Sequence, residues 1–210
     1  MNIGMNLPVM VPGLDRRAIG EWCRRIDEGP FSSLAAGERI TFPNPEIMVT
    51  MAMAAALTER VRLVFSVIVL PMHSPALIAK QVATLDVLSQ GRVTLGLGVG
   101  AREEDYRTVG ASYGGRLLAR LEEGVAELKR LWRGELPYDG AARPVEPLPL
   151  QPGGPELLAG SLTEKSIQRA ARWADGICGF TFHPRREEMA ASFELARRAW
   201  AKAGRTKPPR

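Results

Sequence analysis

The feature that most constrains the fold is an apolar strand that follows a helix and a glycine. Residues 92–99 run Arg-Val-Thr-Leu-Gly-Leu-Gly-Val and present no polar face, which is typical of a strand covered on both sides in a parallel sheet or barrel. The apolar residues before it recur at helical spacing, and Gly91 stands where a helix favours a left-handed residue just past its end. This stretch therefore predicts a helix, a turn and a buried parallel strand.

Three glycines, Gly96, Gly98 and Gly100, alternate with larger apolar residues at the end of this strand. Side chains of a strand alternate between its two faces, so all three glycines point the same way and leave one face bare. Glycine inside a strand is costly and marks a place where another group comes close. That group is either a neighbouring helix or strand, or a flat cofactor, and the sequence leaves both open.

Strands and helices alternate along the chain in six βα units. The predicted strands are 3–7, 31–36, 61–70, 92–99, 156–159 and 176–180, and the predicted helices are 16–28, 46–58, 75–90, 116–133, 163–173 and 187–203. Strict alternation predicts a parallel sheet with helices outside. Two α/β architectures fit: an open doubly wound sheet, or a (β/α)8 TIM barrel with its last two units missing. Residues 134–155 form a proline-rich loop whose length predicts a functional role.

Composition excludes several classes of protein. The 210 residues carry a net charge of +5, but basic and acidic residues are interleaved, which is typical of solvated helix faces and argues against a nucleic-acid partner. Two distant cysteines and two histidines predict neither a disulfide nor a metal site. No signal peptide and no membrane-spanning run is found in the sequence, so we expect a cytoplasmic protein without a membrane partner.

Two glycine motifs suggest phosphate or nucleotide binding. Residues 96–101 match the dinucleotide pattern G-x-G-x-x-[GA], but a polar loop follows instead of a helix, and the acids about twenty residues later fall inside a helix, which disfavours that interpretation. Ala159-Gly160-Ser161 lies between a short strand and a helix, where backbone N–H groups bind anions. Simple capping of that helix by Ser161 is an equally good explanation.

Residues 77–100 strongly resemble the bacterial luciferase-like monooxygenase superfamily, and 158–176 resemble its later phosphate-loop and strand segment. The opening and residues 43–58 are most similar to the branch of coenzyme F420-dependent oxidoreductases. The resemblance implies a barrel, usually dimeric, with the deazaflavin across its carboxyl-terminal mouth. It implies a bulge with a non-prolyl cis peptide at Ser66-Val67. It also implies a cofactor site formed by Ser66, Val67, Gly98, Gly100, Ala159, Gly160 and Ser161.

The chain departs from the sugar-phosphate-oxidising members of this family at two places. Those members carry an Asp-His pair after the second strand, where this chain has Glu38-Arg39, and a glutamate where it has Ala101. A histidine general base is therefore not expected at position 39. Glu38 and Arg39 are the catalytic candidates: Glu38 would bond the ring edge and Arg39 would hold an anionic substrate or the cofactor. The alternative is that the two form a surface ion pair.

The expected function is hydride transfer between F420 and a small organic substrate. The cofactor carries that chemistry, which explains why no nucleophile and base stand out. An FMN-dependent monooxygenase on the same barrel is the second hypothesis, and a flavin- or deazaflavin-binding barrel without turnover is the third. We expect a homodimer, and one luciferase-like domain over residues 1–210 that is incomplete at its carboxyl end, with strands seven and eight following Pro209.

Overall fold

A single parallel sheet is the centre of the computed structural model, which describes residues 2–161, 163–179 and 185–210. Within these residues the sheet has six strands: β1 (Gly4–Asn6), β2 (Ser33–Ala36), β3 (Arg62–Val69), β4 (Val93–Gly98), β5 (Glu156–Gly160) and β6 (Gly176–Cys178). The helices are α1 (Arg16–Glu28), α2 (Ile47–Ala56), α3 (Pro75–Leu88), α4 (Glu103–Thr108), α5 (Leu117–Trp132), α6 (Glu164–Ala170) and α7 (Arg186–Lys202). A short 3-10 helix, Leu70–Met72, follows β3.

The order of the strands decides between the two predicted architectures. Each strand pairs in parallel with the next one along the chain, from β1 to β6. A doubly wound sheet reverses its order at a switch point, and this sheet has no reversal over the described strands. Right-handed crossovers in one direction place all helices on one face. The six predicted βα units are confirmed, and they form the arrangement of six consecutive units of a barrel.

The main core lies between the helices and the outward face of the sheet. Leu34, Leu63, Phe65, Leu95 and Leu97 are fully buried there, in one cluster with apolar residues of helices α1, α2, α3 and α5. Every residue of β4 is buried, as its lack of a polar face predicted. Burying each such side chain stabilises the fold by about 1.5–3 kcal/mol. The strand on which the prediction rested is therefore central to the sheet.

The segment between β4 and α5 differs from its prediction as a polar loop. It contains α4, whose first turn carries the acids Glu103, Glu104 and Asp105. Negative charge in a first turn is favourable because the helix dipole is positive there. Tyr106 in α4 is fully buried and packs with Val69 and Met72. The segment predicted as a polar loop therefore contains a short helix, which covers the end of β3.

The proline-rich segment 134–155 lies away from the carboxyl edge of the sheet, because it joins the end of α5 to the start of β5. Gln151 fastens it: its backbone N–H and its side-chain amide donate to the carboxylate of the buried Asp86, at 3.0 and 2.7 Å. Its predicted functional role has no support from this placement.

The free edge of β6 pairs with residue 210. Ile177 donates its backbone N–H to the carbonyl of Arg210 at 2.9 Å, and Arg210 donates to Asp175 at 3.1 Å. This exchange is the hydrogen-bond pattern of a parallel pair. Arg210 thus occupies the place of a seventh strand of a barrel. Across the described residues, no helix combines the length and hydrophobicity that crossing a membrane requires.

Candidate active site

The carboxyl ends of the strands meet at one edge of the sheet, where barrel enzymes place their catalytic and binding residues. The segments after β2, β3 and β4 bring residues 37–42, 70–74 and 99–102 to this edge, and residues 160–161 reach it from β5. Most of the predicted site residues lie on these segments.

Strand β3 is irregular where the resemblance predicted it. The pairing of β3 with β4 shifts register between Phe65 and Ile68, and the Ser66-Val67 peptide bond is cis. The predicted bulge and its cis peptide are therefore confirmed. Ser66 and Val67 are both half-buried.

Glycines of two neighbouring strands, β4 and β5, make room for this bulge. A Cβ atom added at Gly98 would lie 3.0 Å from Cγ2 of Val67, and one at Gly160 would lie 3.1 Å from Cγ1. A Cβ atom at Gly96 would overlap the carbonyl oxygen of Phe65. Of the two explanations for the bare face of β4, close approach of a neighbouring strand is correct at Gly96 and Gly98.

We call this unit the Val67 shelf: Ser66 and Val67 lying on Gly96, Gly98 and Gly160. Its exposed part is the half-buried side chain of Val67, because Gly98 itself is buried beneath it. Val67 therefore lies over Gly98, one of the residues predicted to bind the cofactor. The shelf is an apolar surface at the carboxyl edge, of the kind on which a flat ring packs.

Ala159 and Gly160, two residues of the predicted phosphate-binding turn, lie on opposite faces of the sheet. Ala159 is buried in a cluster with Ile167 and Trp200 on the outward face, whereas Gly160 lies against Val67 on the inner face. Ser161 is buried but does not cap α6. The cap is Thr163, whose hydroxyl accepts the backbone N–H of Ser166. The alternative in which Ser161 caps the helix is wrong, since the helix begins at residue 164, and the anion site remains a prediction.

Gly100 and Glu38 border the shelf from the strands on either side. Gly100 has a positive φ of 62°, and a Cβ atom there would lie 3.0 Å from Val69. Glu38 donates its backbone N–H to the carbonyl of Val67 at 3.2 Å. The segments after β2 and β4 are therefore fitted closely to the end of β3.

The side chain of Glu38 is buried, with an exposed fraction of 3%. One carboxylate oxygen, Oε2, accepts the backbone N–H of Val69 at 2.7 Å, and the other, Oε1, lies 2.8 Å from Nε2 of His73. The surface ion pair between Glu38 and Arg39 is therefore wrong: burial turns Glu38 inward to the end of β3. Both of its oxygens have partners within the protein.

His73 lies at this edge of the sheet, although it is not among the site residues predicted from the sequence. Its ring is about a quarter exposed and is held by Glu38. Glu38 lies two residues past β2 and His73 four residues past β3. The signal was therefore available from strand order, because adjacent parallel strands bring the residues after their ends together. The second histidine, His183, lies outside the described residues.

Arg39 and Arg102 form a second group at this edge, around Phe42. Their guanidinium carbons lie 5.9 and 4.7 Å from the centre of the Phe42 ring, within the range of cation–π attraction. Arg102 pairs with Glu104 at 2.7 Å. Over the part of the chain that the structure describes, the Arg39 guanidinium has no acidic partner, so its charge is available to an anion.

Asp105 fixes the loop that carries Arg39. Its Oδ1 accepts the backbone N–H of Thr41 at 2.9 Å and the Thr41 hydroxyl at 2.8 Å, with a longer bond from the N–H of Ile40. Burial alone would raise the pKa of the Asp105 carboxyl, but these hydrogen bonds outweigh it and hold the pKa below its usual value.

This fold and this site define a class of protein. The family described as luciferase-like monooxygenase matches residues 1–210, so the chain belongs to that family. An uncharacterised protein of Mycobacterium tuberculosis is 35% identical over 163 residues, which are 75% of this chain and 56% of that protein. The chain therefore spans about half the length of the curated relative that it matches.

Solved structures of related proteins share the fold. A monooxygenase from Streptomyces bottropensis superposes with a TM-score of 0.82 at 26% identity, over 99% of this chain and 68% of its own. The FMN complex of the oxygenating constituent of 3,6-diketocamphane monooxygenase from Pseudomonas putida gives 0.79 at 19% identity, over 99% and 65%. The coenzyme F420-dependent tetrahydromethanopterin reductase of Methanopyrus kandleri gives 0.80 at 17%, over 97% and 62%. The last two likenesses extend to the fold alone.

Proposed function

We propose that the protein is an oxidoreductase that moves a hydride between coenzyme F420 and a small organic substrate. The observation that carries the proposal is the Val67 shelf, an apolar platform held at the carboxyl edge by glycines of two neighbouring strands. It lies beside the Glu38–His73 pair, in which only Glu38 is buried, and a guanidinium group with no acidic partner in the described chain. A flat, partly anionic cofactor needs such a combination of apolar surface, polar edge and positive charge.

The residues present fit a deazaflavin in named roles. Val67 packs against one face of the ring, with Ser66 beside it in the same bulge. Gly160 and Ser161 lie where a phosphate would reach, and Arg39 offers a charge to an anionic tail or substrate. When bound, the deazaflavin supplies the centre that accepts or donates hydride. The protein orients the two reactants and excludes water between them.

A monooxygenase that uses reduced FMN and oxygen is the second candidate. The shelf does not distinguish a flavin from a deazaflavin, because both present a flat tricyclic ring. The Pseudomonas putida protein was solved in complex with FMN, and the Streptomyces bottropensis protein is a monooxygenase. A cofactor-binding barrel without turnover is the third candidate.

Titration with each cofactor separates these candidates. Purified protein is titrated with F420 and, separately, with FMN, while ring absorbance and fluorescence are followed. We expect saturable F420 binding and weaker FMN binding. Tight FMN binding without F420 binding would favour the monooxygenase. F420 binding without reduction or oxidation of any substrate tried would favour the third candidate, and binding of neither cofactor would contradict all three.

We also propose that two copies associate through α2 and α3. These neighbouring helices expose large apolar side chains, with Val49 70% and Leu88 73% exposed, and Leu77 more than half exposed. Helix α2 is apolar on every side, although only one side faces the core. A second copy of the same helices would cover such surface isologously.

A further inference from the structure

We infer that His73, oriented by Glu38, exchanges a proton with the substrate oxygen, and that the substrates are therefore alcohols and the carbonyl compounds formed from them. The inference rests on the proposed function, since a proton and a hydride leave together when an alcohol is oxidised. At position 39, where the sugar-phosphate-oxidising relatives carry a histidine, this chain has Arg39. His73, which follows the next strand, contacts Glu38.

The Glu38 carboxylate is placed between a fixed donor and the imidazole. The backbone N–H of Val69 donates to Oε2 at 2.7 Å, and Oε1 lies 2.8 Å from Nε2 of His73. The backbone N–H of His73 donates to the carbonyl of Leu70 at 3.0 Å, which fixes the residue from its other side. The ring therefore has one orientation, set by the ends of β2 and β3.

This arrangement selects one tautomer of the neutral ring. A carboxylate oxygen can only accept, so the proton of neutral His73 must lie on Nε2. Nδ1 then carries a lone pair, and no group in the described segments is within hydrogen-bond distance of it. The ring is about a quarter exposed at the edge that carries the Val67 shelf. A base with a free lone pair is thus held beside the shelf.

Three further polar side chains near this edge of the sheet already have partners. Arg120 donates to the carbonyl of Pro71 at 2.7 Å. Burial raises the pKa of Tyr106 to about 12, so its hydroxyl stays protonated, and that hydroxyl donates to the carbonyl of Val99 at 2.6 Å. Asp105 is bonded to Thr41. The Arg120 guanidinium has no lone pair to accept a proton, the Tyr106 hydroxyl is engaged with the backbone, and the Asp105 carboxylate is engaged with Thr41.

The step balances without any further reactant. In the oxidising direction the substrate O–H bond breaks and its proton goes to Nδ1 of His73, while the C–H bond breaks and its hydride goes to oxidised F420. The C=O bond forms, so the alcohol is oxidised and the cofactor is reduced. In the reverse direction Nδ1 of the imidazolium returns its proton to the carbonyl oxygen. Glu38 stabilises the charged ring throughout.

The tautomer can be measured on the protein without a cofactor. The chain has two histidines, so a two-bond 1H–15N spectrum shows two rings, and the His183→Gln variant assigns them. We expect the proton of neutral His73 on Nε2. In Glu38→Gln, the amide oxygen must face the N–H of Val69, so the NH2 group faces the ring and shifts the proton to Nδ1. A wild-type ring protonated on Nδ1, or a tautomer that Glu38→Gln leaves unchanged, would overturn the inference.

Turnover supplies the second test. Oxidised F420 is mixed with ethanol, 2-butanol and cyclohexanol, and loss of its absorbance is followed for wild type and His73→Asn. We expect oxidation by wild type and a rate about 10²–10⁴-fold lower in His73→Asn, with F420 binding unchanged. Equal rates, or F420 binding without oxidation of any of these alcohols, would overturn this inference and leave the proposed function standing. Absence of F420 binding to wild type would overturn both.

Discussion

At the scale of single residues, the site depends on how closely Val67 lies on glycines. Its two methyl groups are within about 3 Å of where Cβ atoms would stand at Gly98 and Gly160, so any larger residue there would displace the bulge. Neither glycine has a positive φ. Glycine is therefore needed at these two positions because a side chain would not fit, and not because of the backbone conformation. The glycine pattern alone was compatible with a cofactor lying directly on β4. In the structure the side chain of Val67 covers Gly98 instead.

Replacing Gly96 tests this crowding. We expect Gly96→Ala to lower the free energy of unfolding by about 2–3 kcal/mol, because the new methyl group would overlap the backbone of Phe65 and force it to move. Urea denaturation followed by circular dichroism measures it. The control is Gly20→Ala in α1, where the nearest atom lies 4.0 Å away and alanine should stabilise the helix by about 0.5–1 kcal/mol. Equal stability of Gly96→Ala and wild type would contradict the close approach.

Asp105→Asn tests the anchor of the Arg39 loop. Asparagine keeps an accepting oxygen but loses the charge, so we expect a loss of about 1–2 kcal/mol at pH 7. Because the folded pKa of Asp105 lies below its usual value, this stabilisation is present above the unfolded pKa and disappears as the pH falls through the folded pKa. The difference between variant and wild type should therefore shrink below about pH 4. The exposed Glu103→Gln is the control, and a difference independent of pH would contradict this explanation.

At the scale of elements, the periodicity of apolar residues predicted the strands and most helices, but it did not predict contacts between distant segments. The six strands and the six helices that follow them were predicted with small errors at their ends, because their apolar residues recur at regular spacing. Helix α4 was missed because its residues are mostly charged and only Tyr106 is deeply buried and apolar. The Glu38–His73 pair was missed because it joins residues 35 positions apart, which no local pattern records.

The exposed faces of α2 and α3 carry the prediction at this scale. We expect the double variant Val49→Glu, Leu88→Glu to be a monomer under conditions in which wild type is a dimer, because each charge would be buried without a partner. Light scattering after size-exclusion chromatography measures the mass. Phe193→Glu on α7, at a position 52% exposed, is the matched control and should not change it. A monomeric wild type, or a dimeric double variant, would contradict the proposed interface.

At the scale of the whole molecule, strand order is what converts local patterns into a site. The alternation of strands and helices left two architectures open, and the unbroken order from β1 to β6 selects the barrel type. That order brings the ends of β2, β3, β4 and β5 together, and with them Glu38, His73, Val67 and Gly160. The bulge at Ser66-Val67 was predicted from the family resemblance, because residue spacing alone does not predict a bulge. Substrate identity depends on side chains from several segments, which explains why the sequence alone did not reveal it.

The central claim is that the cofactor ring binds on the Val67 shelf, and the most direct test is the dissociation constant of F420 for wild type and Val67→Ala. Removing two methyl groups from a contact surface costs about 1.5 kcal/mol, so binding should weaken roughly tenfold. Val87→Ala on α3, at a position 41% exposed, controls for loss of a surface valine and should bind like wild type. A tenfold loss confined to Val67→Ala is the predicted result. Equal affinities of Val67→Ala and wild type would contradict the claim.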